Sequence, residues 1–410
     1  MYNRRLQMID VLSGKRVILG VCGSIAAYKV AELARNLTLA GALVDVILTE
    51  AAERFVGTAT FQAVTGRPVL TDMWSLPEDG VVGHVSLGVD ADIVVIAPAT
   101  ANTIARLAAG ISDDLLTTTV LVTQAPILCA PAMNPNMYEA AVTQENIATL
   151  QRRGFTILEP DVGRMAEPMV GKGRLPEVAT IEGELRALLG QHNGPLRGRK
   201  LVVTAGGTHE PIDPVRFVGN RSSGLMGYAL AATARDLGAT VTLITGPTAL
   251  TPPSAVALVR VETALEMRDA VHAACQDADI LVMNAAVADY RPADVVEQKM
   301  KKSDAGLLLQ LVPNPDILGE LAQRRDLFKV GFAAETQDLV ENATAKLTRK
   351  GLTMIVANDA TTSIGQAEIQ VTLLDADGTG TPLSRQPKQQ AAAAIIAAIV
   401  ERYLAFNQDR

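Results

Sequence analysis

The sequence predicts an α/β chain built as two doubly wound, mainly parallel sheets in tandem. Three observations carry that expectation. Short runs rich in Val and Ile alternate with helical patterns, as buried parallel strands and their crossovers do. The 410 residues exceed one ordinary core, and 48% are apolar. The same opening also occurs twice. Ser13-Gly14-Lys15-Arg16 leads into Val17-Ile18-Leu19-Gly20-Val21 and a glycine turn; Arg197-Gly198-Arg199-Lys200 leads into Leu201-Val202-Val203-Thr204 and another, Ala205-Gly206-Gly207.

In the first half, further strands are expected at 44–48, 93–97, 127–130 and 155–158. A helix from Ser24 carries Ala26, Val30, Leu33 and Leu37 at spacings of four, three and four, and ends at Gly41. Another is expected over 139–153, stopped by Gly154. In the second half, strands are expected at 201–204, 241–244, 280–283, 330–332 and 354–357. A late hairpin over 368–374 turns at 375–378, and an alanine-rich helix covers 391–400. The polar, turn-rich stretch Gly190-Gln191-His192-Asn193-Gly194-Pro195 marks the boundary. The expected organisation is a flexible lead-in (1–13), a first domain (14–190), a linker (191–199) and a second domain (200–410). Each domain is Rossmann-like or flavodoxin-like.

Composition excludes several classes. A net charge of −7 and pI near 5.3 leave no basic footprint for nucleic acid, and 3% aromatics offer few stacking platforms. The run 391–400 is too short to span a bilayer, and the polar N-terminus lacks a signal core. Three distant cysteines and four unpaired histidines argue against a disulfide framework or a metal motif, and fit a reducing cytoplasm.

Gly20-Val21-Cys22-Gly23-Ser24-Ile25 follows the first strand and opens a helix, where backbone N–H groups cradle phosphate. The glycine spacing departs from the dinucleotide fingerprint, and Thr49 closes the second strand in place of an acid. A hydroxyl suits a phosphate or ribityl group better than a ribose diol. A mononucleotide such as FMN is favoured over NAD, with an ordinary strand–helix turn as the alternative. Small polar residues, Thr100, Asn102 and Thr103, follow the strand at 93–97. Residues 131–137, Pro-Ala-Met-Asn-Pro-Asn-Met, set Asn134 between two prolines at a strand's C-terminal edge. A carboxamide there donates to a carboxylate without itself titrating. His84 is expected in a loop; imidazole is the side chain that changes charge nearest neutral pH.

The segment 23–29 (Gly-Ser-Ile-Ala-Ala-Tyr-Lys), His84, 98–103 (Pro-Ala-Thr-Ala-Asn-Thr) and 131–134 (Pro-Ala-Met-Asn) together resemble the flavin-dependent cysteine decarboxylases, most closely the phosphopantothenoylcysteine decarboxylases. That resemblance implies FMN contacts at Gly23, Ser24, Thr49, Ala99, Thr100, Asn102 and Thr103. It implies that His84 acts as base or substrate orienter and that Asn134 holds the carboxylate leaving as CO2. FMN in this family is a transient sink with no net redox change: it takes electrons from the cysteinyl thiol and returns them after decarboxylation. The family's substrate-covering flap reads Ala-Cys-Gly-x-x-Gly-x-Gly-Arg, whereas 166–174 here read Ala-Glu-Pro-Met-Val-Gly-Lys-Gly-Arg. Glu167 stands at the acid cysteine's place. It is expected to act as the proton donor, kept protonated by burial under the flap.

In the second half, Thr204 to Gly227 is a glycine- and hydroxyl-rich connection far longer than an ordinary strand–helix loop, suited to wrapping a nucleotide's phosphates, with Arg216 or Arg221 as counter-charge. Asn284 to Pro292 ends another strand, and Lys299, Lys301 and Lys302 follow. Phosphates with a divalent ion explain both signs of charge. The segments Asp-Pro-Val-Arg (213–216), Asn-Arg-Ser-Ser-Gly (220–224), Ala-Val-Ala-Asp-Tyr-Arg (286–291), Lys-Met-Lys-Lys (299–302), Asn-Pro-Asp-Ile (314–317), Gly-Phe-Ala-Ala-Glu-Thr (331–336) and Ala-Asn-Asp (357–359) resemble the phosphopantothenate–cysteine ligases. Bacterial members use CTP, with Mg2+, to form an acyl-cytidylate that cysteine then attacks. The resemblance implies that Asn220 stabilises that intermediate and that Asp289, Pro315, Asp316, Ile317, Leu318 and Phe332 bind CTP. Lys299, Lys346 and Lys350 would counter phosphate charge, Lys299 also serving the cysteine attack. Leu225 and His209 depart from a common lysine and a common arginine.

Taken together, the resemblance spans about 14–400 and implies a bifunctional enzyme of coenzyme A biosynthesis. Its partners would be phosphopantothenate, cysteine, CTP and phosphopantothenoylcysteine. The implied assembly is a homo-oligomer of trimeric flavin domains and dimeric ligase domains. The rival expectation, which Glu167 keeps open, is an active ligase fused to a non-catalytic or oxidative flavoprotein domain.

Overall fold

Six parallel strands form the first sheet: β1 (Arg16–Val21), β2 (Leu43–Leu48), β3 (Val69–Leu70), β4 (Ile93–Ala99), β5 (Ile127–Pro131) and β6 (Thr156–Ile157), in the order β3-β2-β1-β4-β5-β6. The structure is a computed structural model that describes residues 10–74, 83–166, 168–301, 307–335, 339–359 and 366–408. It divides into two units, one spanning Ile9–His192 and one built on Asn193–Arg410.

Alternation along β1 sends its side chains to opposite faces. Val17, Leu19 and Val21 pack with residues of the helices Ala27–Leu39 and Val178–Asn193. Ile18 packs on the other side with Ile104, Leu116 and Leu150, from the helices Ala101–Ala109, Leu115–Val122 and Ala141–Arg152. All are essentially fully buried, and each such side chain contributes roughly 1.5–3 kcal/mol. The chain leaves β1 in one direction towards β2 and returns on the other side as β4. Their loops diverge, opening a crevice at the carboxyl ends.

The second unit repeats this order. Its sheet runs β13-β12-β9-β14-β17-β18-β19-β20, where β9 is Lys200–Ala205, β12 Thr240–Thr245, β13 Ala257–Arg260, β14 Ile280–Met283, β17 Phe328–Glu335, β18 Met354–Asp359, β19 Glu368–Asp375 and β20 Gly380–Pro387. The first six are parallel; β19 and β20 add an antiparallel hairpin. Val203 and Val282 face the helices Leu225–Asp236 and Lys388–Gln408, while Val202 and Leu281 face Ala264–Ala274 and Leu339–Arg349. Three antiparallel pairs form separate two-stranded sheets: β7 (Asp161–Arg164) with β8 (Val170–Arg174), β10 (His209–Pro211) with β11 (Phe217–Gly219), and β15 (Tyr290–Pro292) with β16 (Leu311–Pro313).

Several boundaries differ from the expected ones. Leu12, inside the expected lead-in, is fully buried in the first core. The expected linker is largely structured: the helix Val178–Asn193 runs into it, and Leu196 is buried in the second core. The first helix starts at Ala27, because the Ser24 side chain accepts the Ala26 N–H at 3.3 Å and holds a turn there. The helix expected over 139–153 is broken at Ala140, whose ψ of 133° is extended. Pro135–Glu139 forms its own turn, started by Asn134, and Ala141–Arg152 follows.

Candidate functional site

Two adjoining cavities lie at the carboxyl edge of the first sheet. The first, about 550 Å³, is lined by Gly23, Ser24, Thr49, Thr100, Asn102 and Thr103, so one crevice gathers the ends of β1, β2 and β4. Ala99 is fully buried in β4 and does not line it. Thr100 caps the helix Ala101–Ala109 by accepting the Thr103 N–H at 3.3 Å. Gly23 passes against the next loop: a β-carbon there would lie 2.5 Å from Ala51 Cβ. Arg106, Asp113 and Asp114 line the far side, the arginine 3.2 Å and 2.9 Å from the two carboxylates. Sequence reasoning missed Arg106. The Cys22 thiol beneath is pushed up to about 11, by burial first and against a hydrogen bond from Thr103, and so stays protonated at neutral pH.

Thr49 tests the fit of a cofactor. Its Oγ1 is buried and has no hydrogen-bond partner among the described residues, an unfavourable state for a hydroxyl unless a ligand supplies one. A backbone turn without a β-carbon at Gly23, a hydroxyl at Thr49 and a carboxamide at Asn102 suit a flavin mononucleotide.

The second cavity, about 490 Å³, shares Ser24, Ala132 and Met133 with the first and adds Asn134. Asn134 Oδ1 accepts the Asn136 N–H at 2.9 Å and caps the following turn. That bond fixes which end of the amide is the oxygen, leaving NH2 as the end suited to a carboxylate. The expected flap is the β7–β8 hairpin, and it lies directly on this segment. Met133 N–H donates to Gly173 O at 3.0 Å. A β-carbon on Gly171 would lie 2.6 Å from Pro135 Cγ. Lys172 pairs with Glu159 and stands 5.5 Å from the Tyr138 ring centroid. Glu167 lies outside the described residues.

His84 departs from expectation. It sits in the helix Gly83–Asp90, where Leu87 is buried and Gly88 packs on Thr119 O and Val122. Its Nδ1 is buried without a partner among the described residues, and it lines neither cavity.

In the second unit, a cavity of about 690 Å³ is lined by Met283 of β14, Phe332 of β17 and the loops around them. It brings together Asn220, Asp289, Pro315, Asp316, Ile317, Leu318, Phe332, Lys346 and Lys350. Thr204 Oγ1 accepts the N–H groups of Asn284 and Ala285 at 3.0 Å, and Thr208 Oγ1 that of Ala288 at 2.9 Å, tying the two strand-end loops together. Asn220 Nδ2 donates to Val287 O at 3.1 Å. Asp316 caps the turn Ile317–Glu320 and accepts from Lys350 Nζ at 2.9 Å. Burial alone would raise its carboxyl, but Lys350 and the Gly319 N–H hold it below the usual range. Lys346 Nζ donates to Phe332 O at 2.6 Å.

Of the two arginines named as counter-charge, Arg221 lines the cavity and Arg216 does not; Lys299 is not among its lining residues and is exposed. Its neighbour Met300 is clamped: the N–H donates to Asp213 Oδ2 at 3.2 Å and the carbonyl accepts from the Arg216 guanidinium. Burial pushes the Asp213 carboxyl up, but N–H groups of Val215, Arg216 and Met300 outweigh it and hold it below the usual range. Arg349, missed by sequence reasoning, also lines the cavity. The positions 346, 349 and 350 share one helix face, a spacing that signals it. Among the described residues, no group of three or more His, Cys, Asp or Glu is placed to hold a metal, and no helix is long and apolar enough to cross a membrane.

The flavoprotein family model matches residues 8–190, and that of the DNA/pantothenate metabolism flavoprotein C-terminal domain matches 196–403. The chain is similar to the coenzyme A biosynthesis bifunctional protein CoaBC of Mycobacterium tuberculosis, 48% identical over 410 residues, covering 94% of this chain and 96% of that one. It is 47% identical to CoaBC of Vibrio vulnificus over 357 residues, covering 86% and 88%. Among solved structures it is similar to the C-terminal domain of a CoaBC protein, at 41% identity over 51% of this chain and 97% of that chain, with a TM-score of 0.45.

Proposed function

This chain belongs to the bifunctional coenzyme A biosynthesis family, and on that premise we propose that it converts 4′-phosphopantothenate to 4′-phosphopantetheine in two steps. The second half joins 4′-phosphopantothenate to cysteine at the expense of CTP, through an acyl-cytidylate. The first half, loaded with FMN, decarboxylates the resulting phosphopantothenoylcysteine. The observation that supports the reading is that the first two cavities share Ser24, Ala132 and Met133 in their walls: the one lined by Thr49, whose hydroxyl has no partner among the described residues, adjoins the one lined by Asn134.

Gly23, Ser24, Thr49, Thr100, Asn102 and Thr103 would hold FMN, with Ala99 supporting them from β4. When bound, FMN would supply a transient two-electron sink for the substrate thiol. Asn134 orients the departing carboxylate with its NH2 group. The β7–β8 hairpin covers the site and excludes water, which strengthens each polar contact inside. Glu167, at the acid cysteine's place in the sequence 166–174, delivers the final proton. His84 acts as base or orienter from a neighbouring copy in a homo-oligomer, which fits its place outside both cavities of its own chain.

In the second half, Asp289, Phe332 and the 315–318 turn hold CTP, and Lys346 and Lys350 face its phosphates. The substrate carboxylate attacks the α-phosphate, and pyrophosphate leaves. Asn220 stabilises the acyl-cytidylate, and Lys299 closes in as the cysteine amine displaces CMP. Mg2+ travels with CTP; an ion held mainly by phosphate oxygens and water needs few protein ligands.

The test is purified protein with phosphopantothenate, cysteine, CTP and Mg2+, following pyrophosphate, CO2 and thiol. One pyrophosphate and one CO2 per 4′-phosphopantetheine formed is the expected result. Pyrophosphate without CO2, in protein that retains flavin, overturns the decarboxylase assignment; absence of pyrophosphate overturns the ligase assignment.

A further inference from the structure

The second cavity carries a charge pattern that decarboxylation does not need. Lys29, Arg164 and Arg174 line it, and no Asp or Glu does among the described residues. The first cavity differs, lining Arg106 with Glu50, Asp113 and Asp114. The three cations come from separate elements. Lys29 projects from the helix Ala27–Leu39; Arg164 and Arg174 stand on opposite strands of the β7–β8 hairpin. Gly163 makes room for one of them: a β-carbon there would lie 2.6 Å from Arg174 Nη1.

Their existing partners are weak. One oxygen of Glu177, a carboxylate 63% exposed, serves both Arg174 at 3.2 Å and Lys29 at 3.9 Å. Exposed pairs of this kind contribute little to stability and exchange readily for a better anion. Arg164 has no ion pair among the described residues. Two guanidinium groups and an ammonium around one pocket match a phosphomonoester, whose oxygens accept charge-assisted hydrogen bonds from both kinds of cation. Asn134 already serves the carboxylate, so the cations are left for the substrate's other anionic end.

We infer that Lys29, Arg164 and Arg174 form a phosphomonoester subsite that selects the 4′-phosphorylated substrate over its dephosphorylated counterpart. The inference rests on the decarboxylase reading of the first half. A phosphate there would contact both the hairpin and the first helix, because Arg164 and Arg174 stand on β7 and β8 and Lys29 on the helix Ala27–Leu39.

The experiment compares kcat/KM for CO2 release from phosphopantothenoylcysteine and from pantothenoylcysteine, in flavin-loaded full-length protein. In Lys29→Gln, Arg164→Gln and Arg174→Gln variants, the preference for the phosphorylated form falls at least tenfold, and Lys29→Arg restores most of it. A second readout uses the flavin absorbance during titration with 4′-phosphopantetheine or pantetheine. The phosphorylated ligand binds more tightly in the wild type, and the variants shrink that ratio. A preference unchanged in all three Gln variants overturns the inference. So does loss of flavin in those variants, which would assign the cations to the flavin's own phosphate. Wild-type protein that releases no CO2 refutes the decarboxylase reading; the titration ratio still decides whether the cations recognise phosphate.

Discussion

Met133 and Gly173 touch through their backbones: the Met133 N–H donates to Gly173 O at 3.0 Å, and a β-carbon on Gly173 would overlap Met133 O. The flap therefore lies on the residue preceding Asn134 with no side chain between them. Gly173→Ala must lift β8 or shift Asn134. Overpacking of this kind costs about 1–3 kcal/mol. We expect decarboxylation to fall at least tenfold while pyrophosphate release in the second half persists, measured side by side in one preparation. Unchanged CO2 release would show that the flap's seat is irrelevant to the reaction.

Thr49 gives a prediction with opposite signs in two states. Thr49→Val keeps the shape and removes the buried hydroxyl that lacks a partner among the described residues. Flavin-free protein should be no less stable, because desolvating an unpaired hydroxyl is unfavourable. Flavin affinity should fall about fivefold, the ~1 kcal/mol of an ordinary hydrogen bond. Flavin titration and thermal unfolding of the stripped protein measure the two. A drop in stripped-protein stability with unchanged flavin affinity would show the hydroxyl to be structural.

Much of this was legible in the sequence, for a physical reason. Strands such as β5 and β14 are buried on both faces, so they read as apolar runs, and functional residues gather where such runs end. Asn134 and Thr100 follow such runs directly, whereas Asn220 stands in the long connection after β9 and is read from the family resemblance. Local pattern failed where tertiary contacts decide. Gly83-His-Val-Ser-Leu-Gly-Val-Asp carries two glycines and reads as loop, yet Gly88 allows the helix to close on Thr119 and Val122. The two-residue strands β3 and β6 are too short to show any period and exist only through their neighbours. Lys29 and Arg174 line one cavity and share the Glu177 carboxylate, a relation no local spacing encodes.

Asp213 links acid stability to the lysine loop. Three backbone N–H groups hold its carboxyl below the ordinary range despite burial. In the folded chain it therefore stays ionised further into acid than in the unfolded chain. Its contribution is fully present above the unfolded value of about 3.9 and is lost as pH falls through the lower folded value. Asp213→Asn should unfold at lower temperature than wild type at neutral pH, and the gap should narrow below about pH 4. A gap independent of pH would contradict the assignment. Because Asp213 also holds Met300, the same variant should slow ligation at neutral pH.

Lys350 and Asp316 separate a structural pair from a phosphate contact. They lie 2.9 Å apart on the wall of the second unit's cavity, the lysine side chain 16% exposed and the carboxylate 52%. If the pair is only a surface ion pair, Lys350→Gln costs ~0–1 kcal/mol of stability and leaves KM for CTP alone. If Lys350 faces the triphosphate, the substitution removes a cation and leaves Asp316 unpaired, repelling the same phosphates. KM for CTP should then rise about tenfold, the ~1.4 kcal/mol of a charge-assisted contact. The double variant Lys350→Gln/Asp316→Asn discriminates further. It removes the repulsion with the attraction, so it should bind CTP better than Lys350→Gln alone, although Asp316→Asn also trades one cap acceptor for another of similar shape. A double variant worse than either single one would mean that the carboxylate itself serves the nucleotide, through Mg2+ or a base donor, and would reverse the roles assigned to the pair.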